Sequence, residues 1–130
     1  MSILTPNRSV CDLVVHPSRI HGNGVFATRP FVRGELVFAT ADFTVLSEPA
    51  HGSVQRLPTE HILEPCVLRW VNHSCRHNAE VRFVDDEIQI VCVATIQPHD
   101  EVVCDYRLTE DSIPTPFRCN CGHCPGIMIG

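Results

Sequence analysis

Short runs in which apolar and polar residues alternate dominate the chain, the pattern of strands with one buried face. Asp12 to His16 is the first. The turn-rich His21-Gly22-Asn23-Gly24 follows, then Val25 to Thr28 and a long β-rich run from Glu35 to Leu46. Ala79 to Val84 and Glu87 to Ile96 flank Asp85-Asp86 as a hairpin would, and Glu101 to Cys104 closes the series. Pro49 to Pro65 holds three prolines, a glycine and two histidines, so it reads as an inserted loop, and Ile62 to Val71 offers one short helical turn. From Leu108 onward, Pro114, Pro116 and Pro125 work against regular structure. The chain reads as mostly β.

The chain has 130 residues, which suits one domain. A net charge of −5 gives no basic footprint for nucleic acid and fits a basic partner better. No run approaches the ~20 apolar residues that cross a bilayer, and Met1 to Val10 lacks the basic start and apolar stretch of a signal peptide. The expectation is an intracellular protein of cytoplasm or nucleus, not secreted and not membrane-bound. All ten basic residues are arginine, and there is no lysine. Compositional bias accounts for that, and so does an enzyme acting on lysine that offers none of its own.

The eight cysteines change the picture further. Without an export signal they point to thiols or metal rather than disulfides. Cys119, Cys121 and Cys124 form a C-x-C-x2-C cluster, whereas Cys11, Cys66, Cys75, Cys92 and Cys104 stand singly. Cys92 and Cys104 follow apolar residues and read as small buried side chains. Structural zinc wants four thiolate or imidazole ligands. The cluster supplies three. His123, adjacent to Cys124, is a poor fourth, which leaves Cys75 and His77 beside the polar Asn72-His73-Ser74.

Three further segments bear chemistry: Arg19-Ile20-His21-Gly22-Asn23-Gly24-Val25-Phe26-Ala27, Arg69 to Ala79 with its Asn72-His73-Ser74-Cys75, and Asp100 to Tyr106. Taken singly, each is also compatible with a tight turn or a strand end. Together with the cysteine tail, and in this order, they resemble a SET domain, the fold of most protein-lysine methyltransferases. The resemblance covers about Asp12 to Gly126.

The resemblance implies β-clip-like small sheets around a C-terminal pseudoknot, with the Glu101 to Tyr106 segment threaded beside the Asn72 to Asn78 loop. It implies an N-terminal segment at 1–11, a SET domain at 12–108 with a short insert at 47–68, and a zinc-binding post-SET tail at 109–130. S-adenosylmethionine would be held by Gly22, Asn23, Gly24, Asn72, His73, Tyr106 and Phe117. Tyr106 would be the catalytic tyrosine and is the only tyrosine in the chain. Cys104 and Trp70 would line the substrate channel. Zinc would sit on Cys75, Cys119, Cys121 and Cys124.

Three features depart from the family pattern. The remaining aromatics are one tryptophan and six phenylalanines, so the cage around an amine is thin. Cys104 stands where a phenylalanine or tyrosine usually limits the number of methyls. The tail spacing is two residues shorter than the usual C-x-C-x4-C. The implied activity is methylation of lysine in a basic, histone-like protein or peptide. The alternatives are a SET scaffold turned to a small molecule, by methylation or cyclisation, and a non-catalytic binding module. So short an insert offers little surface for gripping a peptide, which leaves room for a homodimer.

Overall fold

The computed structural model describes residues 9, 10, 12–110, 117–122, 124, 126, 128 and 129; Cys11, Pro114, Pro116, His123 and Pro125 fall outside them. The strands among these residues are β1 (Ser9–Val10), β2 (Leu13–Pro17), β3 (Asn23–Ala27), β4 (Leu36–Thr40), β5 (Thr44–Leu46), β6 (Val54–Leu57), β7 (Glu60–Leu63), β8 (Asn72–His73), β9 (Ala79–Val84), β10 (Glu87–Cys92), β11 (Glu101–Cys104), β12 (Phe117–Arg118) and β13 (Met128–Ile129). Two 3-10 turns, Leu68–Trp70 and Tyr106–Leu108, are the helical elements there. None is long and apolar enough to cross a membrane.

The strands assemble into small sheets ordered β1-β2-β3-β11-β8, β4-β10-β9, β5-β7-β6 and β12-β13. Alternation places the core. Leu13 and Val15 on β2, Val25 and Ala27 on β3, and Ile88, Ile90 and Cys92 on β10 are buried at every second position and belong to one cluster. In the hairpin of β9 and β10, Val84 faces Glu87 across Asp85-Asp86. Asp85 there has φ of 54°, a left-handed conformation that a short polar side chain tolerates.

Two elements differ from the sequence expectation. The stretch read as an inserted loop is a sheet: β7 pairs with β6 through Val54↔Ile62 and Leu57↔Glu60, and with β5 through Thr44↔Leu63. Pro58 sits in the two-residue turn, where its fixed φ helps, and Pro49 and Pro65 lie outside the strands. The long run from Glu35 to Leu46 divides into β4 and β5 at Ala41-Asp42-Phe43, and the β10 strand stops at Cys92. Ile96 instead bridges to Phe31. In the tail, β12 and β13 form a two-residue pairing where none was expected.

The insert is fastened by a buried carboxylate. Glu64, 1% exposed, accepts from Cys66 N at 2.7 Å and from Val67 N and Leu68 N, both at 2.8 Å. These are the amides that open the 3-10 turn, and the carboxylate supplies the partners the turn cannot.

Strand β11 decides the topology. It runs antiparallel to β3 and parallel to β8, with Val103↔Asn72 and Cys104↔His73. A parallel pair needs a long crossover. The β9–β10 hairpin lies within it, so β11 threads between β3 and β8 and runs beside the Asn72 to Asn78 loop, as the resemblance implies. Asn78 locks the thread: its Nδ2 donates to Glu101 O at 2.9 Å and its Oδ1 accepts from Val103 N at 2.9 Å.

Candidate functional site

The first ligand-like geometry forms where β3, β8 and β11 meet. Asn72 Nδ2 donates to His21 O at 3.0 Å, Asn23 O at 3.1 Å and Glu101 Oε2 at 2.9 Å. Two amide hydrogens serve three acceptors, so one is shared. Glu101 Oε1 accepts from Ser18 Oγ at 2.7 Å. Gly22 supplies the left-handed turn with φ of 45°, and a β-carbon there would meet open space. Gly24 is different, because Glu101 and Ser18 crowd its α-carbon.

Tyr106 stands at the end of β11 and is held at both ends by one short stretch. Its backbone N donates to His73 Nδ1 at 3.0 Å, and its hydroxyl donates to Val71 O at 2.8 Å. Burial, then the nearby Cys104, Glu110 and Glu101, raise the phenol pKa. Asp105 is also buried. Burial alone would raise its carboxyl, but hydrogen bonds and charge from Arg107, at 2.6 Å, outweigh it and hold the group below its usual range. Burial lowers the His73 pKa and favours the neutral ring.

Cys104 lies in the hydrophobic core cluster, 7% exposed. Burial pushes its thiol up to about 12. Trp70 packs partly against the same cluster, with Nε1 donating to Pro65 O at 3.2 Å and the Arg69 guanidinium 4.8 Å from its ring. Phe117 is described by its backbone, paired with Ile129, and the contact implied for its side chain lies outside the described residues.

The sulfur atoms of Cys75, Cys119, Cys121 and Cys124 lie within 4.8 Å of one another. Cys75 to Cys119 is 3.5 Å and Cys121 to Cys124 is 3.8 Å. A tetrahedron with Zn–S of ~2.3 Å has edges of ~3.8 Å, so the set fits zinc. Burial, then hydrogen bonds to Cys119 and Cys124, push Cys75 up to about 12. Crowded thiols hold their protons; a dication favours the thiolates instead. His77 is engaged elsewhere, with Nε2 3.4 Å from Glu80 Oε2.

All four chemistry-bearing segments reach one cleft of about 310 Å³, lined by Ile20 from the first, Ser74 and Asn78 from the second, Glu101 and Val103 from the third, and Cys121 from the tail. The family model of the SET domain matches residues 22–107. The chain belongs to the SET-domain family. No curated protein matches it.

SET domains are a methyltransferase family that uses S-adenosylmethionine. The cleft in this SET domain has the volume of a small ligand site, since such sites start at ~300 Å³. Its lining carries the Asp100 and Glu101 carboxylates, the Asn78 amide, the Ser74 hydroxyl and the Arg76 guanidinium, groups of both charges that suit a polar ligand bearing a cation and a carboxylate, so the residues fit that cofactor. A second cleft of about 470 Å³ adjoins it and shares Ile20, Asp100, Glu101 and Cys121.

The glycine turn, Asn72 and Glu101 come together as one network; His73, Tyr106 and Cys75 come together as a second. Three contributors are not singled out by the sequence motifs. Glu101 is marked only as part of its segment, and Ser18 carries no signal. Asn120, between two of the cysteines, donates from Nδ2 to Ile20 O at 2.9 Å and ties the tail to the first segment. Its place inside C-x-C was the available clue.

Proposed function

We propose that the protein is a lysine N-methyltransferase that acts in trans on a basic protein or peptide. The observation that carries the reading is the convergence of four separated segments on one cleft, the third of them ending in a tyrosine fixed at both ends. S-adenosylmethionine, when bound, supplies an electrophilic sulfonium methyl. The residues proposed to hold it are Gly22, Asn23, Gly24, Asn72, His73 and Tyr106, with Phe117.

The remaining work falls to the chain. An attacking lysine must be neutral and desolvated, against a reference pKa of ~10.4. Burial keeps Tyr106 a phenol, so it serves as an orienting group rather than a phenolate base. Its proton goes to Val71 O, so toward an amine N–H the hydroxyl oxygen acts as an acceptor. The acidic chain, with no lysine to compete, suits a basic substrate. A reducing compartment such as cytoplasm or nucleus keeps the zinc thiolates from pairing as disulfides.

The test is transfer of label from methyl-labelled S-adenosylmethionine, with histones or cell extract as acceptor. Label in protein lysine supports the reading. Label in the small-molecule fraction replaces it with a small-molecule methyltransferase, and cofactor binding without transfer replaces it with a binding module.

A further inference from the structure

We propose that His73 is a positioning residue that couples the four-cysteine cluster to Tyr106, so that loading the cluster with zinc sets the seat of the tyrosine; this rests on Tyr106 standing at the methyl-transfer site. His73 is 2% exposed, and its two ring nitrogens face two different partners. Nδ1 lies 3.0 Å from Tyr106 N and Nε2 lies 3.7 Å from Cys75 Sγ.

A backbone N–H can only donate, so Nδ1 is the acceptor and the neutral ring carries its hydrogen on Nε2. That hydrogen then points at a cysteine of the metal cluster. Asp105 Oδ1, 3.6 Å from Nδ1, is beyond hydrogen-bond distance and instead accepts from Arg107 N and Nε at 3.0 and 2.9 Å. The imidazole also meets the Tyr106 ring edge-on, with centroids 5.2 Å apart. One rigid ring thus touches a metal ligand on one side and the tyrosine's backbone and ring on the other.

A thiolate bound to zinc is a stronger acceptor than a neutral thiol, so a loaded cluster strengthens the Nε2–H···S contact and fixes the tautomer. The fixed tautomer is the one that accepts from Tyr106 N–H. Residues 71–73 hold the other end as well, through Val71 O and the tyrosine hydroxyl. Zinc occupancy therefore bears on where the phenol oxygen stands.

The single tyrosine makes a direct test available, because 3-fluorotyrosine incorporation gives one fluorine resonance. In the wild-type chain that resonance shifts when a chelator removes zinc and returns when zinc is restored. His73→Asn keeps an acceptor near the Nδ1 position and cannot reach Cys75. It binds zinc roughly tenfold more weakly, and its fluorine resonance no longer follows zinc. His73→Gln keeps a donor near Nε2 and loses the acceptor, so its resonance is displaced even with zinc bound. A His73→Asn resonance that follows zinc as the wild type does, or a wild-type resonance indifferent to zinc, overturns the coupling.

A second measurement needs no variant. The ring-nitrogen spectrum of zinc-loaded wild type shows His73 with its hydrogen on Nε2; a hydrogen on Nδ1 overturns the proposal. A zinc-dependent tyrosine shift in a protein that transfers no methyl supports the coupling while removing the proposed function.

Discussion

Glu101 occupies the space that a β-carbon on Gly24 would need: such a carbon would overlap Oε2, and would lie 2.8 Å from Cδ and 3.0 Å from Ser18 Cβ. The glycine is therefore required by a neighbour within the protein. Glu101 cannot swing aside freely, since Ser18 and Asn72 hold its two oxygens.

Gly24→Ala should destabilise the fold by about 1–3 kcal/mol, because the overlap is with a fixed group. Truncating Glu101 to alanine in the same chain should recover part of that loss, giving a coupling of about 0.5–3 kcal/mol between the two sites. Denaturant unfolding of the two single variants and the double variant measures it. Strict additivity would show that Glu101 is not what excludes the β-carbon.

Zinc analysis of the purified chain should give one metal per chain. Cys75→Ser should fall well below one and melt at a lower temperature, whereas His77→Ala should retain the metal, because His77 lies against Glu80. Retention of zinc by Cys75→Ser and its loss from His77→Ala would reassign the fourth ligand.

How much of this could be read in advance depends on the range of the interaction. Strands β9 and β11 and the start of β10 are legible to the residue, since alternation and the Asp85-Asp86 turn are local signals, whereas the end of β10 at Cys92 is not. The four cysteines were identified by chemistry plus resemblance. The insert was misread because prolines and histidines masked two four-residue strands whose partners settle their register. Glu101 and Ser18 act across 83 residues of chain, and nothing near either one marks the pairing.

Glu64→Ala removes the acceptor for three backbone amides at a buried turn and should cost at least about 1–3 kcal/mol. Glu64→Gln should fall between the two, because one oxygen can still serve Val67 and Leu68 while its NH2 opposes Cys66 N. Equal stability of wild type and Glu64→Ala in denaturant would remove the carboxylate's structural role.

Tyr106→Phe should keep the fold, at a cost of about 1 kcal/mol for the lost bond to Val71 O, and lower turnover by about 100-fold or more. The phenol itself gives a pH test. Its folded pKa is raised above the ordinary ~10, so the folded state keeps a proton that the unfolded state releases. This contribution to stability is complete below ~10 and declines as pH rises beyond it. Ultraviolet titration of the single tyrosine should show no ionisation at pH ~10 in the folded chain. A normal phenol titration in folded protein would place Tyr106 in solvent.

Cys104 carries the last prediction. Resemblance puts it where the number of methyls is limited, whereas its packing puts it in the core cluster, 7% exposed. A side chain so enclosed has no spare volume to offer an amine. Cys104→Tyr should then overpack the core at about 1–3 kcal/mol and lower the melting temperature. Cys104→Ala should be milder, because only one sulfur is lost, and should leave the product order unchanged. Mass spectrometry of peptide products beside a melting curve decides between gate and core. A stable Cys104→Tyr chain whose product shifts toward monomethyl-lysine would show that the position faces the channel after all.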